Sequence, residues 1–349
     1  MKDELLDILC CPLCSGDLNL TITEGEKSNV RLGNLECKDC HSKYDIFNDI
    51  PYFSMKIFHQ GIKNQYETYS HWFEEMHDET TMIDASNSQI FTNSLRIKTE
   101  ECENRVVLDA GCGYGRFSYV VSNYNPKLLV SFDISKGLEK AKGAILKHNP
   151  QANIAFVQGD ITAPPFKKKA FDVVFSWGVI HHTPNTRKTF ETLSSLVKRK
   201  GVFGIFVYPF NPLYEYDKQS LGLLAYLRSF LLIRPFRFIC SRLPVFIVKL
   251  IFQPIYYVER LFGVGVFGCH GPPPDVFNKP RYFRVVVDRF KTRYASEHKL
   301  EEVLGWFIST NYNNLRIGHS PKISVSGTKM QSASSIREIS LSVESEESK

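Results

Sequence analysis

Residues 105–116, RVVLDAGCGYGR, constrain the chain more than any other stretch. An apolar run leads to Asp109, and Gly111, Gly113 and Gly115 then alternate with other residues. A buried strand must therefore break into a tight turn whose amides can approach a ligand. A dinucleotide fingerprint wants its third glycine three residues after the second; that position is Arg116, so the loop is built for a different cofactor.

Strand and helix patterns alternate from there. After a helix over Phe117–Val121, the run LLVSFDIS at 128–135 reads as a second strand ending at Asp133. It lies about eighteen residues past the last glycine, where an acid can accept both ribose hydroxyls. A helix over Ser135–His148 returns the chain to a third strand, NIAFVQGD at 153–160, with Asp160 at its carboxyl end. FDVVFSWG at 171–178 is apolar throughout, so it is buried on both faces, and it leads into Val179-Ile180-His181-His182-Thr183-Pro184. A helix over Thr186–Val197 and a fifth strand at 201–209 complete the alternation. Asp109, Asp133 and Asp160 thus share the edge where open α/β sheets bind ligands.

The spacing Asp-x-Gly-x-Gly-x-Gly over 109–115 resembles motif I of the class I S-adenosylmethionine (SAM) methyltransferases. The resemblance implies an α/β fold, a Rossmann-like seven-stranded sheet. It also implies that Asp109 helps hold the methionine ammonium, that Asp160 faces the adenine amino group and that Ile161 flanks the adenine ring; Trp177 is counted in the same cofactor set. The 179–184 loop is similar to the post-strand motif of the subfamily that methylates quinones, sterols and other small molecules or lipids. His181 or His182 would there remove or orient a proton, and adjacent residues point in different directions, so at most one faces the acceptor. The Asn/Asp-Pro-Pro-Tyr/Phe pattern of many nucleic-acid amino-methylating enzymes is missing from this position.

Ahead of this core, Cys11-Pro-Leu-Cys14 and Cys37-Lys-Asp-Cys40 form two Cys-x2-Cys knuckles roughly two dozen residues apart, the arrangement that closes four thiolates around one structural zinc. Cys10 reads as a small core residue, since Cys11 gives the two-residue spacing. Nine cysteines so unevenly placed do not make a disulfide scaffold; they suggest metal in a reducing compartment. Asp3, Glu4 and Asp7 break any apolar leader, so the cytoplasm is the expected location. Over residues 5–53 the run is similar to the Trm112-like zinc domains, which accompany methyltransferases as partners or fused modules. The resemblance implies a docking or substrate-presenting role without catalysis at zinc.

The expected organisation is a zinc-ribbon-like domain at 1–54, a helical linker and cofactor cover at 55–104, the SAM-binding core at 105–210, an apolar, basic insertion or lid at 211–298, a closing segment at 299–329 and a disordered tail at 330–349. Within 55–104, Tyr66, Tyr69, Trp72, Phe73 and Met76 recur at helical spacing, giving an amphipathic helix over Ile62–His77. Tyr66 or Tyr69 either covers the cofactor or simply packs that helix down. From Leu221 to Phe262 there are six Lys or Arg and one acid, Glu259. Charge and proline interrupt the apolar runs too often for a membrane span, and they suit short amphipathic helices. Three readings stay open there: a lid over a hydrophobic acceptor, a patch docking peripherally on an anionic membrane through 221–262, or an embellishment packed on the sheet. Gly-Pro-Pro-Pro at 271–274 reads as a stiff linker, and 281–290 as re-entry into the fold. A helix over Lys299–Thr310 and two strands near Asn314–Ile317 and Lys322–Ser326 would close the sheet.

The net charge of +6 permits anionic partners without requiring them. The leading expectation is methyl transfer from SAM to oxygen or carbon of a small-molecule, lipid or glycan-precursor acceptor. An RNA methyltransferase gripping its substrate with the zinc module, and a non-catalytic SAM-binding activator of a partner protein, are the alternatives.

Overall fold

The computed structural model describes residues 1–53, 66–70, 79–209, 234–262, 282–283, 286–318, 323–331 and 341–342. A four-stranded antiparallel sheet comes first, with β1 (Leu18–Glu26), β2 (Asn29–Cys37), β3 (Lys43–Phe47) and β4 (Ile50–Pro51) paired in that order. Its core is thin. Leu18, Val30, Leu35, Tyr44 and Ile46 point inward, joined by Leu5 from helix Asp3–Leu6.

The module is fastened to the main sheet along one edge. The Phe53 amide donates to the Gln158 carbonyl (2.8 Å), the Cys10 amide to Pro165 (3.0 Å) and the Lys167 amide to Ile8 (2.8 Å). Leu9, Phe53, Phe132 and Phe166 consequently share one apolar core, so position 54 separates two sequence motifs without separating two cores.

The main sheet comprises β5 (Val106–Ala110), β6 (Leu128–Asp133), β7 (Ile154–Gln158), β8 (Phe171–Trp177), β9 (Val197–Val207), β10 (Tyr312–Ile317) and β11 (Ile323–Lys329). The spatial order is β7-β6-β5-β8-β9-β11-β10; the first five are parallel, and β11 is antiparallel to both neighbours. This is the expected seven-stranded arrangement, extended at its edge by a two-residue parallel pairing of β12 (Leu341–Ser342) with β10. Alternate residues of each strand face opposite cores. Leu108, Val130 and Val174 meet Phe190, Leu193 and Phe307 on one side, while Val107, Leu129 and Phe175 meet Phe91, Val121 and Ile145 on the other. The chain runs outward from β5 to β7 and crosses back to β8, so a crevice opens beyond the carboxyl ends of β5 and β8.

Several boundaries differ from the sequence expectation. β9 begins at Val197, where Val197 pairs with Phe171 ahead of a bulge, and helix Thr186–Leu196 stops one residue earlier. Helices Glu79–Ile83, Ser86–Leu95 and Thr99–Cys102 fill the stretch before β5, and Phe91 sets its ring edgewise on Phe175 at 5.1 Å. Residues 66–70 are helical, whereas the rest of the expected 62–77 helix, Trp72, Phe73 and Met76 included, lies outside the described residues. So do 210–233, the 271–274 linker and most of the 330–349 tail.

In the insertion, the second helix is not short; it runs Val245–Phe262. Among the described residues no helix is long and apolar enough to cross a membrane. Residues 282–283 and 286–290 pack on that helix rather than on the sheet: Tyr282, Val286 and Phe290 gather with Cys240, Val248 and Phe252 in a separate cluster. Re-entry comes later. His298 donates its amide to the Tyr208 carbonyl (2.9 Å) and Ser296 donates to that of His181 (2.9 Å) before helix Leu300–Ser309 begins.

Candidate functional site

β5 delivers Asp109 to the crevice and the glycine loop turns away beneath it. Gly111, Gly113 and Gly115 all have positive φ, at 89°, 56° and 85°. At Gly111 a Cβ would stand 2.5 Å from the Val179 side chain, so both backbone conformation and close approach require glycine. Gly115 instead starts helix Arg116–Ser122, and a Cβ there would strike Ala141 and Ile145.

The loop closes on a cavity of about 480 Å³. Its lining brings together Asp109, Gly111, Gly113, Asp133, Asp160, Ile161, Trp177 and His182; Gly115 and His181 lie outside it. Asp109 is wholly buried, accepts the Ser118 hydroxyl at 2.7 Å and is reached through it by the Ser131 hydroxyl. Burial, partly opposed by Ser118 and reinforced by the charge of Asp133, pushes its carboxyl up to about 7. Asp133 ends β6 and accepts two backbone amides, from Gly113 and from Ser135, both at 2.8 Å. Burial raises its pKa too, against the pull of those hydrogen bonds. Asp160, two residues past β7, accepts the Thr162 amide at 2.8 Å and so sits on a turn that presents Ile161 and Thr162 to the cavity.

The opposite wall is aromatic. Trp177 ends β8, donates its ring N–H to Ser94 (2.8 Å) and packs between Phe206 and Phe117. Tyr69 and Tyr208 complete that wall. His182 faces the cavity with Nδ1 3.0 Å from the Tyr294 carbonyl. A carbonyl only accepts, so Nδ1 carries the hydrogen and Nε2 is the basic nitrogen of the neutral ring. His181 points inward instead. Its ring stacks on Tyr208 at 3.9 Å, it is fully buried, and neither nitrogen finds a hydrogen-bond partner among the described residues. Burial holds its pKa well below the ordinary value, so the ring is neutral packing.

Several lining residues were not singled out by the sequence, among them Phe206, Tyr208 and Arg116. Phe206 and Tyr208 stand at the end of β9, the strand beside β8, where the strand-end rule that found Asp133 applies equally. Arg116 was visible only as a missing glycine; its guanidinium donates to Asn87 (2.5 Å), lies 5.6 Å from the Trp177 ring centre and offers a positive charge inside the cavity.

At the N-terminus the sulfurs of Cys11, Cys14, Cys37 and Cys40 lie within 4.8 Å of one another, and Cys10 is not among them. Tetrahedral zinc with bonds of about 2.3 Å needs sulfurs about 3.8 Å apart, so the cluster fits the ion. Tyr44 places its hydroxyl 3.1 Å from the Cys11 sulfur, and Ser42 beside Cys40 pulls that thiol down to about 6. Burial pushes Cys10 up to about 11, as suits an inert core thiol.

An open sheet of this order with a glycine loop and three strand-end acids around one cavity defines a Rossmann-like methyltransferase fold. Residues 102–208 match the family model described as a methyltransferase domain, and residues 2–49 that of Trm112p-like proteins. The chain joins these two domains. It is 25% identical over 125 residues to the sterol 24-C-methyltransferase of Debaryomyces hansenii, covering 36% of this chain and 33% of that one. It is 31% identical over 102 residues to the tRNA U34 carboxymethyltransferase of Pseudoalteromonas atlantica, covering 29% and 31%. The chain thus spans about a third of the length of the curated relatives it matches. Among solved structures, a SAM-dependent methyltransferase from Aquifex aeolicus superposes with a TM-score of 0.40 at 11% identity, over 74% of this chain and 97% of that one. A complex of the Haloferax volcanii Trm112 methyltransferase activator gives 0.35 at 17% identity, over 42% and 63%.

Proposed function

We propose that the protein is a SAM-dependent methyltransferase acting on oxygen or carbon of a small apolar or lipidic acceptor. The observation that carries this is a single cavity walled on one side by acids from three adjacent strand ends and on the other by Tyr69, Trp177, Phe206, Tyr208 and His182. The acids suit a cofactor with a cationic amine, a ribose and an adenine, and the aromatic wall suits an uncharged acceptor. When bound, SAM supplies a methyl group already made electrophilic by its sulfonium. The chain's own residues do the rest. Asp109 meets the ammonium, Asp133 the ribose hydroxyls and Asp160 the adenine edge; the aromatic wall excludes water and orients the acceptor. His182 Nε2 takes the proton that the acceptor loses. The four cysteines of the N-terminal module would hold a structural zinc, and four thiolates would leave no ligand position for catalysis.

Two outcomes check these roles. Asp109 must be ionised to hold an ammonium, and its carboxyl titrates at about 7. SAM affinity should therefore rise about tenfold between about pH 5.5 and pH 7 by calorimetry, below the range where the α-ammonium of SAM itself titrates, and Asp109→Asn should flatten that profile. His182→Asn keeps an N–H for the Tyr294 carbonyl but removes the base; turnover should fall by about a hundredfold with SAM affinity unchanged.

Incubation with methyl-labelled SAM and fractionated cell extract tests the acceptor class. Label in the organic-soluble fraction is the expected result. The sterol-methylating relatives favour it, while the 31% identity to a tRNA-modifying enzyme favours a second reading, in which label enters RNA.

A further inference from the structure

Helix Val245–Phe262 uses one side to hold the insertion together and, among the described residues, leaves large apolar side chains exposed on the other. Val248, Phe252 and Tyr256 are buried against Cys240, Tyr282 and Phe290. On the opposite side Phe246, Leu250, Tyr257 and Leu261 fall within about 60° of one another around the axis. They are 64%, 61%, 51% and 78% exposed, and Phe238 of the preceding helix, Arg234–Cys240, is likewise 62% exposed. Such a run of large apolar side chains in water requires a cover.

Charge indicates which cover. Lys249 and Arg260 lie along one flank of the stripe, and Arg242 sits over the Phe238 ring at 3.5 Å with its Nη1 on the Phe238 carbonyl (2.7 Å). From Arg242 to Phe262 the sequence holds three bases, Arg242, Lys249 and Arg260, and one acid, Glu259. Pairing this face with a second copy across a two-fold axis would set bases against bases with almost no acid to match them. An apolar stripe edged by cations instead suits a surface that is apolar within and anionic at its boundary.

We propose that this face docks on an anionic lipid bilayer, with Phe246, Leu250, Tyr257 and Leu261 entering the acyl boundary and Arg242, Lys249 and Arg260 meeting the headgroup phosphates. The inference stands independently of methyl transfer. It does put the cavity near the bilayer: Arg237 Nη1 donates to the Ala295 carbonyl (3.2 Å), next to Tyr294, whose own carbonyl holds His182.

The test is co-sedimentation of the full chain with phosphatidylcholine vesicles, with and without about one-third phosphatidylglycerol. Binding should strengthen at least about tenfold with the anionic lipid and weaken at high salt. Leu250→Glu with Leu261→Glu should abolish it. Lys249→Glu with Arg260→Glu should cost about tenfold on anionic vesicles only. Leu250, Leu261 and Arg260 are exposed and Lys249 is half-buried, so circular dichroism should stay unchanged and serves as the check on folding. Phe246→Trp supplies a second readout, an emission blue-shifted by vesicles and quenched by brominated lipid beyond the parent protein's response. No vesicle binding, binding indifferent to Leu250→Glu with Leu261→Glu, or a self-association that those same substitutions dissolve would overturn the proposal.

Discussion

Asp133→Ala is expected to abolish measurable SAM binding while the protein stays folded. Two charge-assisted hydrogen bonds to ribose hydroxyls, at about 1.5–3 kcal/mol each, amount to a loss of about a hundredfold or more. The same carboxylate also pins the glycine loop, since its two oxygens receive the Gly113 and Ser135 amides. Removing it frees the loop as well as the ribose site. Asp133→Asn separates the two contributions. Its amide oxygen can still receive one backbone amide, but its nitrogen would face the other N–H as donor against donor, so affinity should fall nearly as far. The fold should survive because burial already opposes the Asp133 charge, and a neutral side chain there relieves that cost. Unchanged affinity by calorimetry would remove the ribose assignment, and an unfolded Asp133→Asn variant would make this acid structural.

The residues that line the cavity at the strand ends were legible because a parallel strand buried on both faces is an uninterrupted apolar run, and the residue that ends it is conspicuous. Asp109, Asp133 and Trp177 each terminate or nearly terminate such a run, and the structure gathers them around one cavity. The cysteine pairs were legible for a similar reason: two thiols three positions apart have few other uses. Elsewhere the local signal was weak or the deciding information lay far away. Helix Ser86–Leu95, SNSQIFTNSL, buries Phe91 and Leu95 but carries too few apolar residues to show a helical period. The start of β9 is disguised by Lys198, Arg199 and Lys200, a charged run that falls in the bulge between the Val197 and Val202 pairings. The histidine pair needed Tyr294, more than a hundred residues downstream, to show that His182 is anchored facing the cavity while His181 turns into the core.

Stripping zinc should weaken SAM binding at a distance. The four-stranded module has a thin core, and a structural zinc contributes about 10–16 kcal/mol of apparent binding energy to folding of such units. Cys11 belongs to the four-thiol cluster, and its neighbour Cys10 donates its amide to Pro165, while Ile8 receives the Lys167 amide and Phe53 donates to Gln158. Those three bonds bracket residues 158–167, which carry Asp160, Ile161 and Thr162 into the cavity. The module is therefore a strut beneath the Asp160 end of the cavity. Without the ion, the loop loses its outer support but the Asp109 and Asp133 end does not. SAM affinity should fall by about tenfold to a hundredfold, about 1.4–2.7 kcal/mol, which is less than the loss at Asp133. Chelation should release about one equivalent of zinc, and Cys37→Ser should reproduce the affinity loss in protein whose main sheet remains folded. Asp133→Ala must retain its zinc. A purified protein without zinc would contradict the four-thiolate site, and a zinc-stripped protein with undiminished SAM affinity would show that the 158–167 loop holds its shape without the module.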